Sequence, residues 1–298
     1  MIHAVDIHKS YGKTKALNGF SFEVNDGEVY GVIGPDGAGK STLMRILTSL
    51  LIPDQGTVLM NNLDTVKDYK QLRQIIGYMP GKFSLYQDLT VEENLSFFAT
   101  VFNTSIEENY YLIKDIYQQI EPFKTRKAGA LSGGMKQKLA LSCALIHKPE
   151  ILILDEPTTG VDPVSRKEFW DMLARLKAQG ITIVVSTAYM DEAGRCDRIA
   201  LMREGNFIAC NTPDGIVKDY KETLWGVKGD NMLQLINLLR NHSSIKSCFA
   251  FGEELHVTTN GYIDKNTIRE YLNSHGCGDV KVYDVVPSVE DCFLALTQ

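Results

Sequence analysis

The run Val29-Tyr30-Gly31-Val32-Ile33-Gly34-Pro35-Asp36-Gly37-Ala38-Gly39-Lys40-Ser41-Thr42 decides how this chain is read. Its first five residues form an apolar run, the pattern of a strand buried on both faces. The nine that follow, GPDGAGKST, fit the spacing G-x-x-x-x-G-K-[ST], and Thr42–Leu51 then carries helical patterning. Strand, glycine-rich loop and helix in that order make a cradle for phosphates. Gly37 and Gly39 lack Cβ atoms, so the backbone can turn tightly and bring its N–H groups onto an anion beside the positive end of the helix. Gly34, Pro35, Asp36, Ala38 and Thr42 complete the candidate contact set. Lys40 is placed to reach the β- and γ-phosphates of a nucleoside triphosphate, and the Ser41 hydroxyl to ligate Mg²⁺. The expected ligands are therefore ATP and Mg²⁺; the plain alternative is a glycine-rich turn with a surface lysine.

A second apolar strand, Ile151–Leu154, delivers Asp155 and Glu156 at its carboxyl end, where ligands sit in open α/β sheets. Asp155 is the candidate metal ligand. Glu156, one residue further, is the candidate catalytic group alongside Lys40, able to orient or deprotonate an attacking water. The competing reading has both acids capping the next turn.

Working outward, Ile2–Val5 and Phe20–Val24 read as short strands around a polar connection, closed by an Asn25–Glu28 turn. Downstream, Pro53–Gly56 ends the first helix, and Thr57–Met60 and Gln74–Met79 read as strands. Helical periodicity runs from Val91 to Ile120, with Leu95, Phe98, Ala99 and Phe102 on one face. Ser132–Ile146 and Arg166–Lys177 are predicted helices, and Ile181–Ser186 is a further buried strand. The expected architecture is α/β: a P-loop NTPase with a mixed, mostly parallel sheet, an antiparallel β subdomain and a helical insertion at about residues 83–147. From Thr223 onward the pattern is strand, helix (Asn231–Leu239), strand, strand (Leu255–Thr258), helix (Lys265–Leu272) and strand (Val280–Val285), followed by a last helix, Ser288–Leu296. This βαββαβ order predicts a small α+β, ferredoxin-like domain. Domain bounds of 1–218 and 219–298 follow.

Composition narrows the function classes. The chain has 298 residues, 44% of them hydrophobic and 23% charged, as in ordinary globular domains. A net charge of -6 without a basic cluster argues against a nucleic-acid partner. The six cysteines show no close pair, and no two of the six histidines stand at i, i+4, so neither a disulfide framework nor a histidine metal site is signalled. No apolar run approaches the ~20 residues that span a bilayer. A cytoplasmic protein is expected, with any membrane crossed by another chain.

Leu131-Ser132-Gly133-Gly134-Met135 ahead of ILILDEP (Ile151–Pro157), with Gly160-Val161-Asp162-Pro163 just after, resembles the ABC ATPase family. The resemblance covers residues 1 to about 218, and the end PSVEDCFLALT looks like the tail of ABC-2-type exporters, including drug-resistance ATPases. It implies that Ser132, Gly133 and Gly134 contact the γ-phosphate bound by an opposite subunit in a homo- or heterodimer. It implies an adenine-stacking role for Tyr11, with a hairpin-core tyrosine as the alternative, and places Asp162 on the loop linking the two ATP sites, unless it serves only a turn. It implies a separate membrane permease, contacted through the insertion from Phe83 to about Phe123, and hence a place on the inner face of the membrane. A soluble ABC protein of translation or DNA maintenance, or a nucleotide sensor without turnover, is the competing class.

Two positions depart from the family. Gly81 stands where relatives carry a glutamine, and Ala188 where they carry a histidine. The expected consequence is good Mg-ATP binding with slow hydrolysis at this chain's own site, unless Gln87 replaces the missing glutamine or Glu156 alone sustains turnover. If the loop reading is correct, purified chain retains ATP with Mg²⁺ and Lys40→Ala weakens that at least tenfold, read by equilibrium titration with a fluorescent ATP analogue.

Overall fold

In the computed structural model, which describes residues 1–297, the chain opens with a hairpin of β1 (Ile2–Tyr11) and β2 (Thr14–Val24). The polar connection between the two expected short strands is itself strand. Its polar side chains occupy the solvent face of a one-sided antiparallel sheet, and register shifts between Ala4 and Ser10 break the alternation that would have revealed it. β3 (Val29–Ile33) leads through the glycine loop into α1 (Lys40–Leu47). That helix stops before the expected Leu51, since Thr48 caps it and Ser49 turns to φ 57.

β4 (Gln55–Met60), β5 (Leu63–Asp64), α2 (Tyr69–Ile75) and β6 (Ile76–Met79) follow. Gln74 and Ile75, expected in the strand, are the last turn of α2. The insertion holds α3 (Val91–Val101), α4 (Ile106–Tyr117) and α5 (Gly133–Leu145). The continuous periodicity from Val91 is broken at Asn103, whose φ is 56, and restarted by Ser105, which accepts the Glu108 N–H as N-cap. β7 (Ile151–Asp155), α6 (Pro163–Ala178), β8 (Thr182–Thr187), β9 (Arg198–Arg203) and β10 (Asn206–Asn211) complete this part, and α7 (Pro213–Lys218) begins at its boundary with the second.

Two sheets result, β2-β1-β4-β5 and β10-β9-β3-β8-β7-β6; the first is antiparallel, and the second is parallel except for its edge strand β10. The hairpin β9–β10 around Glu204-Gly205 was not predicted. One apolar cluster joins both sheets through α1, with Ile2, Tyr30, Leu43, Leu47, Met60 and Val184 fully buried. Each such side chain contributes roughly 1.5–3 kcal/mol, which fixes α1, and with it the loop at its start, against the sheet.

The chain divides into two compact units, Met1–Pro213 and Asp214–Gln298. The second contains β11 (Leu224–Lys228), α8 (Met232–Arg240), β12 (Ile245–Phe251), β13 (Glu254–Thr259), α9 (Lys265–Ser274), β14 (Lys281–Asp284) and α10 (Val289–Leu296). Its antiparallel sheet runs β12-β13-β11-β14, the ferredoxin-like arrangement, over a core that includes Trp225, Val227, Leu239, Val257 and Leu272. Ser288 and Asp291 form a capping box on α10, and Asp291 also meets the buried His256 Nδ1 at 2.7 Å. Among the described residues, no helix is long and apolar enough to cross a membrane.

At the end of the insertion, His147 stacks on Phe102 with ring centroids 3.8 Å apart, and its Nε2–H donates to the Ile76 carbonyl at 3.0 Å. Its buried Nδ1 has no partner, and burial holds the imidazole below its ordinary pKa. A group depressed in this way contributes stability above its unfolded pKa of about 6.5 and loses it as pH falls through the lower folded value. Thermal melts are expected to fall between pH 7.5 and 5.5, and His147→Gln, which keeps a donor but cannot titrate, to flatten that fall.

Candidate functional site

Parallel pairing puts the carboxyl ends of β3, β6, β7 and β8 on one rim. Ile33 is in register with Thr187, Met79 with Leu154 and Asp155 with Ser186. The residues that follow, Gly34–Thr42, Gly81, Glu156 and Ala188, are thereby gathered from across the sequence. Gly34 N–H donates to the Thr187 carbonyl at 3.2 Å and anchors the loop to β8. Gly39 is the N-cap of α1 at φ 109, and a Cβ there would lie 2.3 Å from the Ala16 carbonyl oxygen, so glycine is required. Pro35, Asp36 and Gly37 are exposed, Gly34 and Ala38 buried, and Ser41 and Thr42 half-buried.

Lys40 is only 3% exposed and fully engaged. Its ammonium donates to the carbonyls of Gly34 at 2.7 Å and Pro35 at 3.0 Å, and pairs with Glu156 Oε1 at 3.0 Å. An ammonium has three protons, and here each has an oxygen. The surface lysine of the plain alternative is therefore not what the fold contains. The Glu156 carboxylate occupies one of the ammonium's three directions.

Asp155, 3% exposed, accepts on Oδ1 from the Ser41 hydroxyl at 3.1 Å and the Ser186 hydroxyl at 2.7 Å. Glu156 sits at φ 49, a conformation non-glycine residues rarely adopt, and its N–H is shared between the Ser186 carbonyl at 3.1 Å and hydroxyl at 3.0 Å. Burial, helped by the Asp155 charge, pushes the Tyr78 hydroxyl up to about 12, so it stays protonated beside that carboxylate. The Ser41 hydroxyl and Asp155 carboxylate are hard oxygen donors on one side of the loop, a set that fits Mg²⁺ completed by phosphate oxygens and water.

Gly81 does stand at this site. A Cβ on it would lie 3.1 Å from the Asp155 carbonyl oxygen and 3.6 Å from Asp155 Oδ2. Gln87 is elsewhere: its carbonyl accepts from Gly129 N–H at 2.9 Å, and its side chain lies against that glycine.

The remaining candidates lie at exposed element ends. Tyr11 closes β1 and is 48% exposed, which removes it from the hairpin core. Ser132 is the N-cap of α5, accepting from Met135 N–H at 3.4 Å; it and Gly133 are exposed, and Gly134 is half-buried beside Ser165. Asp162 is the N-cap of α6, accepting from the N–H groups of Val164 at 3.1 Å and Ser165 at 3.0 Å. Hydrogen bonds from Ser165 hold its carboxyl below the ordinary range.

Sequence reasoning missed two groups. Ser186 passed as one more residue of an apolar strand. Glu192, 3% exposed, accepts from Thr187 Oγ1 at 2.6 Å, Thr158 Oγ1 at 2.8 Å and Arg166 Nε at 3.1 Å, bracing the segment after β8 to that after β7. No motif spacing marks either residue.

A family-wide sequence model described as ABC transporter matches residues 17–159. The Nod factor export ATP-binding protein I of Rhizobium sp. (strain N33) is 34% identical over 300 residues, covering 99% of this chain and 96% of that protein. The probable multidrug ABC transporter ATP-binding protein YbhF of Escherichia coli (strain K12) is 35% identical over 285 residues, covering 92% of this chain. The chain spans only about half of that relative, 47% of its length. Among solved structures, an ATP-binding subunit of an ABC transporter superposes with a TM-score of 0.67 at 29% identity, over 73% of this chain and 92% of that one. The dimeric post-hydrolysis state of the ATP-binding cassette MJ0796 bound to ADP and Pi gives 0.65 at 28% identity, over 71% and 98%.

The Lys40–Glu156 pair makes Glu156 an internal competitor for any anion. At protein dilutions that keep the chain monomeric, Glu156→Gln is expected to tighten ATP binding several-fold, on the order of threefold, a modest effect because Glu156 is partly solvated. Titration calorimetry on wild type and variant checks it; unchanged affinity would show that the pair does not compete.

Proposed function

The chain belongs to the ABC transporter family, and from that membership we propose that it is the ATP-binding subunit of an exporter, closing with a second cassette around Mg-ATP and driving a separate membrane permease. The observation that carries this reading is the convergence of Lys40, Ser41, Asp155 and Glu156 on one rim of the parallel sheet. ATP's terminal phosphate replaces Glu156 on Lys40 and takes the loop's backbone N–H groups. The displaced Glu156 then turns to the attacking water, which it orients or deprotonates. Mg²⁺, held by Ser41 and Asp155, would neutralise phosphate charge.

Closure in pairs is supported by the exposure of Ser132 and Gly133 at the start of α5, where the Gly133 and Gly134 N–H groups and the helix dipole favour an anion from outside the chain, and by the exposure of Asp162 at the start of α6. Permease contact is supported by a groove of about 390 Å³ between the end of α1, the end of β6, α3 and α5. It is lined by Leu50, Met79, Leu85, Phe98 and Phe102, with Tyr86 and Phe97 stacked edge to face nearby and both exposed. An apolar helix of the permease fits such a groove, and seats the chain on the inner face of the membrane. Met79 in the groove is two residues from Gly81 at the Asp155 carboxylate, so one strand end serves both.

Gly81 and Ala188 leave this site without two polar groups that relatives use. Loss of one preorganised donor typically costs about 10²–10³ in rate, and losses within one constellation do not multiply. Binding suffers less, because Lys40 and the loop remain. The double variant Gly81→Gln with Ala188→His is expected to raise kcat at least tenfold with KM changed less than about threefold; an ATPase rate no higher than the parent's would remove the weak-site part of the reading.

A further inference from the structure

We propose that Ser186 is a positioning residue of the ATP site, whose single hydroxyl sets Asp155 through its side chain and Glu156 through its backbone. The proposal rests on the reading of this rim as a Mg-ATP site. Ser186 is in register with Asp155 on the neighbouring strand and is 0% exposed. A serine hydroxyl has one proton and two lone pairs. The proton goes to Asp155 Oδ1 at 2.7 Å, and a lone pair accepts the Glu156 N–H at 3.0 Å. No hydrogen is left to rotate elsewhere, so both acids are referred to one buried atom.

The two contacts do different things. On Asp155, the Ser41 and Ser186 hydroxyls converge on Oδ1, which leaves Oδ2 on the side of Gly81. With glycine there, no side chain at position 81 steadies that carboxylate, and its orientation falls to the two serines. On Glu156, the φ of 49 persists only if the surroundings hold it, and the Ser186 hydroxyl is one of the two acceptors on its N–H. The direction in which the Glu156 side chain leaves the backbone, at present toward Lys40, follows from that conformation. The Ser186 side chain hydrogen-bonds Asp155 and Glu156 rather than Lys40 or the loop amides, so it reaches metal-free nucleotide binding only through the Lys40–Glu156 pair.

This division supplies the test. Full-length wild type, Ser186→Ala, Ser186→Thr and Lys40→Ala are compared in three measurements: fluorescent ATP-analogue affinity in EDTA, Mn²⁺ affinity of the chain–ATP complex by electron paramagnetic resonance, and kcat. Ser186→Ala is expected to leave the first within about threefold, the whole reach of the Lys40–Glu156 pair, weaken the second about tenfold and lower kcat about tenfold, the scale seen when groups that orient a metal ligand are removed. Ser186→Thr, which keeps the hydroxyl, returns the last two to within about threefold of wild type. If Ser186→Ala does not fold, Ser186→Cys, a weaker donor of similar shape, carries the same expectation at smaller amplitude. Wild-type Mn²⁺ affinity and kcat in the variant, or equal loss in all three measurements, overturns the role of Ser186 while leaving the ATP site intact. Failure of the wild type to bind ATP better than Lys40→Ala overturns the ATP site, and the role of Ser186 with it.

Discussion

A lysine ammonium that is 97% enclosed has to be surrounded by oxygen, because an unpaired buried charge costs several kcal/mol. Lys40 meets that demand with two carbonyls of its own loop and the carboxylate of Glu156. The carbonyls of Gly34 and Pro35 face inward only because the loop reverses tightly, which depends in turn on Gly39 at φ 109 against Ala16. The loop holds its place because α1 is clamped by Leu43 and Leu47 into the core shared by both sheets. Packing, backbone conformation and charge pairing thus converge on one nitrogen.

The same nitrogen is the group proposed to receive phosphate, and its pairing with Glu156 gives the resting site its character. The carboxylate stands in for an anion until one arrives. On this view the acid and the lysine are not two independent catalytic groups, since one becomes available when the other is taken. The strained backbone at Glu156 belongs to the same arrangement, since the carboxylate that pairs with Lys40 projects from a sharp turn at the strand's end.

Parallel sheet geometry explains why so few elements suffice. Strands that run in one direction deliver their following residues to one rim, so the segments after β3, β6, β7 and β8 meet there without any loop reaching across the molecule. The end of β6 has two neighbours, the acid pair on the rim and the apolar groove lined by Met79 and Phe98.

Much of this was legible in the residue order. The loop Gly34–Thr42, the acids after Ile151–Leu154 and the βαββαβ tail are local patterns, and each reflects chemistry that must be satisfied within a few residues: glycine where the chain reverses, apolar runs where strands are buried, an N-cap where a helix begins. Other features depended on which distant groups became neighbours. The lengthened β1–β2 hairpin, the β9–β10 pair, the Lys40–Glu156 contact, Ser186 between the two acids and Glu192 beneath Thr158 and Thr187 leave no periodic trace. A buried polar side chain finds its partner through the register of strands far apart in sequence, and that register is decided by the packing of the whole sheet. Residue order therefore determined which chemical groups the site would contain, and only the tertiary structure decided which of them hold one another, because hydrogen bonds are selected by distance and angle after the core has closed.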